Sequence, residues 1–219
     1  MKNMNLPNKL TVLRILLVPF VIAAILIEFP FHFAVAGLLF GAAAITDAFD
    51  GKIARRDNLI TDFGKFADPL ADKILVISVL VCFVKLGLCG AIPLIIIIFR
   101  EFTITSVRLV ASSKGTVIAA NMWGKVKTVC QIIAVVAVFV FQTAMDIINL
   151  AMLGKTLTIT HDYNYFVAAV NSNSLYHTSY LIFSIFNIVG HSLLWIVAII
   201  TVISGVKYLV DNKEVISDM

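Results

Sequence analysis

Charged residues and cysteines are scarce in this chain, and each shortage excludes a class of protein. Only 14% of the 219 residues are charged, whereas 60% are hydrophobic. A water-soluble domain of this length could not bury so much apolar surface, so the composition predicts an integral membrane protein. The three cysteines are odd in number and lie in or beside apolar segments, which favours small buried side chains over a disulfide framework.

Internal repeats, low-complexity runs and histidine clusters are also missing from the sequence. His161, His177 and His191 do not have the spacing of a metal site. The net charge of +4 is explained by lysines and arginines at one side of the predicted membrane topology. It therefore indicates orientation and compatibility with anionic membrane lipids, and it gives no support for nucleic acid as a partner.

Six apolar runs predict membrane-spanning helices, since a span needs roughly 18 or more residues. The third run begins among charged residues and reaches this length only when it is extended back through Asp68. The first is predicted to be a retained helix, because it is long for a secretory signal. The predicted fold class is an all-α integral membrane protein with six transmembrane helices and a cytoplasm-facing active-site cavity. The spans are about Leu10–Ile27, Phe33–Phe49, Ile74–Val84 with its extension, Ala91–Val110, Val126–Met145 and Tyr180–Tyr208.

Basic residues predict the orientation of these helices. With the N-terminus in the cytoplasm, all 17 lysines and arginines except Lys85 and Lys155 fall on the cytoplasmic side. The chain is therefore expected to be a multi-pass protein of the cell membrane with both termini cytoplasmic. A single membrane domain is expected over residues 1–219, with a core at about 5–145, an outer loop at about 149–179 and a last helix at about 180–208.

Four aspartates stand where a membrane-spanning sequence should be apolar: Asp47, Asp50, Asp68 and Asp72. An ionised carboxylate in or beside hydrocarbon is costly unless a cation or a water-filled cavity receives it. On a helix, spacings of three and four residues put each pair on one face. Two such faces meeting would suit Mg²⁺ or Mn²⁺, which prefer oxygen ligands, and a pair of ions could clamp a diphosphate. No Cys or His accompanies them, which argues against zinc.

The spacing of these aspartates resembles a family signature. The sequence contains Asp-x-x-Asp-Gly-x-x-Ala-Arg, then eight residues, then Gly-x-x-x-Asp-x-x-x-Asp. This is similar to the pattern of the CDP-alcohol phosphatidyltransferases, and every fixed position is filled. The resemblance implies that the first three aspartates hold the metal ions. It implies that the last is the general base, with or without touching metal. The predicted metal ligands are Asp47, Asp50, Asp68 and Asp72, and the predicted catalytic base is Asp72.

Candidate contacts to the CDP-lipid come from three predicted helices. Glycine and alanine beside the aspartates leave the helix surface bare, so that a base or backbone can approach closely. An arginine there can bind a phosphate bidentately. A polar stripe on the first span supplies further candidates, for which capping or interface roles are the alternative. The predicted contacts are Asn8, Thr11, Gly51, Ala54, Arg55 and Gly64, with Arg14 on the same stripe as the first two.

A basic group at the cytoplasmic ends of the fourth and fifth spans is the candidate acceptor site. It consists of Arg100, Arg108, Lys125 and Lys127. The two arginines are eight residues apart, close to two helical turns, so they share a face. Such a stripe suits an acceptor that carries its own phosphate, although an ordinary excess of basic residues at the cytoplasmic surface is the alternative.

Three flanking stretches resemble members of the same family that use glycerol 3-phosphate as acceptor: residues 5–14, 100–108 and 119–128. The resemblance implies transfer of a phosphatidyl group from CDP-diacylglycerol to sn-glycerol 3-phosphate, giving phosphatidylglycerophosphate and CMP. It also implies a homodimer. Residues 149–180 depart from the family in length and polarity. Other acceptors (inositol phosphate, serine or phosphatidylglycerol) and a divalent-cation or proton-coupled transporter are the alternatives, whereas a membrane scaffold would leave the aspartates unexplained.

Overall fold

The chain is helical throughout the part that a computed structural model describes, which is residues 6–56, 62–113, 122–154, 156 and 174–213. Within these ranges it forms six α-helices and no strand. Five of the six predicted spans lie inside one of these helices, and the first, Leu10–Ile27, ends one residue beyond its helix, so the all-α prediction is confirmed. The helices are α1 Leu6–Leu26, α2 His32–Arg56, α3 Asp62–Lys85, α4 Ala91–Ser113, α5 Met122–Leu153 and α6 Ser174–Asp211.

Length and composition make three of the described helices able to cross a membrane. Large apolar side chains are also exposed on the other helices, as for Leu38, which is 76% exposed, and Phe99, which is 73% exposed. Apolar surface on this scale indicates a membrane protein. The count of six spans stays a prediction, because charged residues enter α3 and α4 and the apolar part of α2 is shorter. The three are Asn8–Leu26, Met122–Leu153 and His177–Asp211, and the shorter stretch is His32–Thr46.

The end of α2 differs from the sequence prediction. The polarity of residues 51–62 predicts a turn between the second and third helices, but α2 continues to Arg56. Lysine, alanine and arginine have high helix propensity, which outweighs the cost of Gly51 within the helix. As a result, the whole first half of the aspartate signature is helical.

The predicted outer loop, residues 149–179, is also shorter than expected, because α5 runs to Leu153 and α6 begins at Ser174. The polar residues at its two ends are accommodated inside helices by pairing: the Ser179 hydroxyl donates to the Asn149 side-chain oxygen, and both residues are fully buried. Gly154, with a φ of 68°, ends α5 in the left-handed conformation that favours glycine. Residues 157–173 lie outside the described part of the chain.

The helices form two compact units, and α5 and α6 contribute to both. The first unit contains Met1–Leu86 and Phe139–Phe183, and the second contains Gly87–Val138 and Ser184–Met219. In the first unit α1 packs against α2 and α3, which also contact each other. The single-domain organisation expected from the sequence stays a prediction.

An aromatic cluster lies in the core of the first unit. The ring centroid of Phe139 is 5.8 Å from that of Phe40 and 5.2 Å from that of Phe83, within the range of favourable ring contacts. At the turn between α1 and α2, His32 is buried and its Nδ1 donates to the carbonyl oxygen of Ala24 at 3.1 Å. This bond satisfies a carbonyl in the last turn of α1, where no backbone partner is available.

The cysteines behave as small apolar residues, as predicted. Cys82 and Cys89 are buried, Cys130 is half-buried, and all three are free thiols. Burial raises the pKa of the Cys89 thiol, in the turn between α3 and α4, to about 11. A thiol so rarely ionised at neutral pH is a poor nucleophile or metal ligand, which fits Cys89 as a small apolar side chain.

Candidate active site

The four aspartates lie on two helices of the first unit. Asp47 and Asp50 are in the last turns of α2, and Asp68 and Asp72 are in the first half of α3. Since both segments are helical, separations of three and four residues place the members of each pair on one side of their helix. The structure describes these positions by their backbone, so the arrangement of the carboxylate groups stays a prediction.

The CDP-lipid candidates of the aspartate signature share these helices. Gly51, Ala54 and Arg55 lie in the last two turns of α2, and Gly64 lies in the first turn of α3. Their side-chain contacts lie outside what the structure describes, and their roles stay predictions. The helical backbone nevertheless places each of them within about one and a half turns of an aspartate.

The predicted stripe on α1 is buried. Asn8 is 7% exposed, and Thr11 and Arg14 are fully buried. This stripe belongs to a helix that packs against both aspartate-bearing helices. A guanidinium group at such depth is costly unless polar groups receive it, so α1 brings a strongly polar surface to the interior of the first unit. Whether Asn8 and Thr11 touch nucleotide stays a prediction.

Two of the four basic candidates meet at one carboxylate in the second unit. Glu101 Oε1 accepts hydrogen bonds from Arg100 Nη1 at 2.9 Å and from Lys127 Nζ at 2.5 Å. Lys127 is 2% exposed, so this is a buried ion pair and not a solvated surface contact. Because Arg100 directly follows an apolar run and is followed by Glu101, the sequence predicts a pair in place of a simple basic flank, and the ion pair confirms this prediction. One carboxylate shared by two cations leaves a single positive charge on this trio.

Arg108 is held differently, because its partner is uncharged. Its Nε donates to the Tyr208 hydroxyl at 3.1 Å, and its guanidinium carbon lies 5.0 Å from the centroid of the same ring. No carboxylate pairs with Arg108 among the residues that the structure describes. The positive charge of Arg108 is therefore not neutralised within this part of the chain, and both of its Nη groups keep their donors.

Lys125 does not join this group. It is exposed, whereas Lys127 is buried. Residues two positions apart on a helix are separated by about 200° around its axis, so the two lysines point in nearly opposite directions. Arg100, Arg108 and Lys127 thus contact partners among the described residues, whereas the role of Lys125 at the acceptor site stays a prediction.

The sequence analysis missed three residues of α6. Ser204 accepts a hydrogen bond from Arg100 Nη2 at 2.8 Å, and a Cβ at Gly205 would lie 3.0 Å from Arg100 Cγ. Tyr208 is the partner of Arg108. The signal that could have found them is their spacing, since polar and small residues recur along one face of an otherwise apolar helix.

An all-α membrane protein with helix-borne aspartate pairs and a separate buried basic group fits a lipid-metabolising transferase. The sequence matches the CDP-alcohol phosphatidyltransferase family over residues 4–161, and the chain belongs to that family. Enzymes of this family generally depend on a divalent metal ion.

Two curated relatives carry the same name, CDP-diacylglycerol–glycerol-3-phosphate 3-phosphatidyltransferase. The one from Bacillus subtilis (strain 168) is 43% identical over 157 residues, which cover 66% of this chain and 81% of the relative. The one from Rickettsia bellii (strain RML369-C) is 37% identical over 171 residues, which cover 75% of this chain and 94% of the relative.

Proposed function

We propose that this enzyme transfers the phosphatidyl group of CDP-diacylglycerol to sn-glycerol 3-phosphate, giving phosphatidylglycerophosphate and CMP. This is the activity of a phosphatidylglycerophosphate synthase. Family membership supports the donor, and the names of the two relatives support the acceptor. The observation that carries the choice of acceptor is the basic group of the second unit, termed the acceptor cluster here: Arg100, Glu101, Arg108 and Lys127 with Ser204 and Tyr208.

The charge of the acceptor cluster matches a phosphate monoester. Arg100, Arg108 and Lys127 contribute three positive charges and Glu101 one negative charge, which leaves two positive charges. A phosphate monoester carries about −1.5 to −2 charges at neutral pH. An acceptor without a phosphate, such as serine, would bring no matching negative charge to this group. The cluster therefore favours glycerol 3-phosphate over a neutral or zwitterionic acceptor.

The aspartate pairs fit the divalent ions that the family requires. Their donor set consists of carboxylates alone, on two helices whose backbones place each pair on one side, and this suits Mg²⁺ or Mn²⁺. We propose two ions held by Asp47, Asp50, Asp68 and Asp72. When bound, they would neutralise the diphosphate of the CDP-lipid and the charge that develops on the departing CMP.

Asp72 has a second proposed role as general base. It would accept the proton of an acceptor hydroxyl, whose oxygen then attacks the phosphorus that carries the diacylglycerol. The bond from that phosphorus to the oxygen of CMP breaks in the same displacement, and CMP leaves with the electron pair. Arg55, the small residues Gly51, Ala54 and Gly64, and the α1 residues Asn8 and Thr11 would hold the CDP-lipid in position.

The distribution of basic residues supports a multi-pass arrangement in the cell membrane with both termini in the cytoplasm. In this orientation the sequence places the aspartates at the cytoplasmic surface, where glycerol 3-phosphate is dissolved. The proposed assembly is a homodimer, as the family resemblance implies.

The test is CMP release from CDP-diacylglycerol by the full chain in detergent. It is measured with and without Mg²⁺ and Mn²⁺, and with glycerol 3-phosphate, inositol phosphate, serine or phosphatidylglycerol as acceptor. Metal-dependent release with glycerol 3-phosphate, well above release with the other acceptors, is expected. Preference for another acceptor would contradict the proposed specificity. No metal-dependent release with any acceptor would contradict the proposed reaction and favour cation transport.

A further inference from the structure

One face of α6 is polar although the helix as a whole is apolar enough to span a membrane. Thr201, Ser204, Gly205 and Tyr208 follow the spacing i, i+3, i+4 and i+7, so they lie on the same face. All four are buried, and Thr201, Ser204 and Tyr208 are at most 1% exposed. Buried polar groups in a membrane helix are costly unless they have partners, so such a face indicates a role within the protein.

The partners of this face are the two arginines of α4. Ser204 and Gly205 contact Arg100, and Tyr208 contacts Arg108. All of these residues belong to the second unit. The two arginines on α4 thus each have a contact point on α6: Ser204 and Gly205 for Arg100, and Tyr208 for Arg108.

The contact with Tyr208 fixes the guanidinium group of Arg108 in two ways. The hydroxyl accepts from Nε at 3.1 Å, and the ring lies 5.0 Å from the guanidinium carbon. A hydrogen bond at Nε and an aromatic surface against the guanidinium group restrict its rotation. The two Nη groups, which form the fork that binds phosphate bidentately, are left available.

We infer that Tyr208 is a positioning residue that orients Arg108 toward the phosphate of the acceptor, so that α6 helps to determine acceptor specificity. This inference deepens the proposed function and rests on it. The family match ends at residue 161, so the whole of α6 lies beyond it. Arg108 lies within the residues that match the family, whereas Tyr208, the residue proposed to orient it, lies on α6 beyond that match.

An uncharged partner suits this task better than a carboxylate. Glu101 holds Arg100 and Lys127 but also cancels one of their two charges. Tyr208 restrains Arg108 and leaves its charge intact, so the full electrostatic attraction to an incoming phosphate is preserved.

The first test compares steady-state kinetics of the full chain in detergent for the wild type, Tyr208→Phe, Tyr208→Leu, Arg108→Ala and the double variant Arg108→Ala/Tyr208→Phe. Tyr208→Phe keeps the ring and removes the hydroxyl. It is expected to raise the KM for glycerol 3-phosphate about tenfold, the scale of one hydrogen bond to a charged group. Tyr208→Leu should raise it further, and the KM for CDP-diacylglycerol should change less than twofold in both variants.

The double variant separates positioning from a general structural role. If Tyr208 acts through Arg108, adding Tyr208→Phe to Arg108→Ala should cause no further rise in the KM for glycerol 3-phosphate. An additional tenfold rise in that background would overturn the inference. Tyr180→Phe, a matched change on α6 in the first unit, is the control and should leave both KM values unchanged.

The second test does not need turnover. Binding of inorganic phosphate to the detergent-solubilised full chain is measured by calorimetry for the wild type, Tyr208→Phe and Tyr180→Phe. Weaker binding in Tyr208→Phe alone supports the inference, even if glycerol 3-phosphate proves not to be the acceptor and the proposed function fails. Equal phosphate affinity in the wild type and Tyr208→Phe, or no binding to the wild type, would overturn it.

Discussion

The aspartate-bearing helices and the acceptor cluster are both strongly charged, but they differ in how that charge is compensated. The signature places four aspartates on α2 and α3, at positions 47, 50, 68 and 72, and its one fixed basic position is Arg55. The acceptor cluster draws on three helices and contains its own carboxylate, Glu101. Like charges gathered in this way need cations from outside, whereas the acceptor cluster is already partly neutral. The first region is thus suited to metal ions and the second to one anion of matching charge.

The largest expected effect comes from the acidic region. Asp72→Asn removes both a proposed metal ligand and the proposed base while keeping the size of the side chain. We expect CMP release to fall by about 10³-fold or more, since general base catalysis alone contributes roughly 10²–10⁴-fold. The matched control is Asp211→Asn, an exposed carboxylate at the end of α6, which should retain full activity. If Asp72→Asn kept activity within tenfold of the wild type, the proposed metal-binding and general-base roles of the acidic region would be contradicted.

The internal compensation of the acceptor cluster is tested by Glu101→Gln. This change leaves Arg100 and the buried Lys127 without their shared carboxylate. Breaking a buried ion pair by removing one partner costs about 3 kcal/mol, so thermal unfolding in detergent should shift to clearly lower temperature. Glu28→Gln, an exposed residue between α1 and α2, is the control and should unfold like the wild type. Equal unfolding temperatures for both variants would show that the cluster does not depend on Glu101.

A smaller effect is expected from packing around Arg100. A Cβ at Gly205 would lie 3.0 Å from Arg100 Cγ, whereas at Gly190, on the same helix and in the same unit, the nearest atom would be Val138 Cγ2 at 3.5 Å. Gly205→Ala should therefore destabilise the protein by about 1 kcal/mol and raise the KM for glycerol 3-phosphate severalfold. Gly190→Ala should be neutral or slightly stabilising, because alanine has the higher helix propensity. Unfolding and kinetics are measured for both, and the same outcome for the two variants would contradict the close packing of α6 on Arg100.

The smallest effect is expected at Lys125. Because it is exposed and lies away from Lys127, Lys125→Ala should change the KM for glycerol 3-phosphate less than twofold. Kinetics with varied glycerol 3-phosphate at saturating CDP-diacylglycerol measure this directly. A rise of tenfold or more would place Lys125 in the acceptor site and restore the larger basic group expected from the sequence.

The two regions also differ in how far their sequence reveals them. The aspartate signature is local, and helical spacing alone predicts which residues share a face. The bonds from Arg100 to Ser204 and from Arg108 to Tyr208 join residues 104 and 100 positions apart, so no local pattern could pair them. Within the acceptor cluster, the pairing of Arg100 with Glu101 is the contact that a local pattern predicts, because the two residues are adjacent and directly follow an apolar run.

The same distinction explains the successes and errors in the fold. The six helices follow from long apolar runs, which are local features. The predicted ends of the outer loop were wrong because Asn149 and Ser179 are polar residues, which the sequence assigns to a loop. In the structure they form a hydrogen bond with each other inside the first unit, so both can be helical. The turn predicted from Gly51 onward was wrong because residues 52–56, although mostly polar, include good helix formers.

The shared carboxylate has a consequence for how the enzyme responds to dissolved salt. Mobile anions compete with a substrate for every accessible cation, and their competition grows with the number of cations left unpaired. Glu101 already occupies Arg100 and the buried Lys127, so those side chains offer little to chloride in the medium. At the proposed acceptor site, competition from dissolved anions should therefore act mainly at Arg108, whose partner is uncharged.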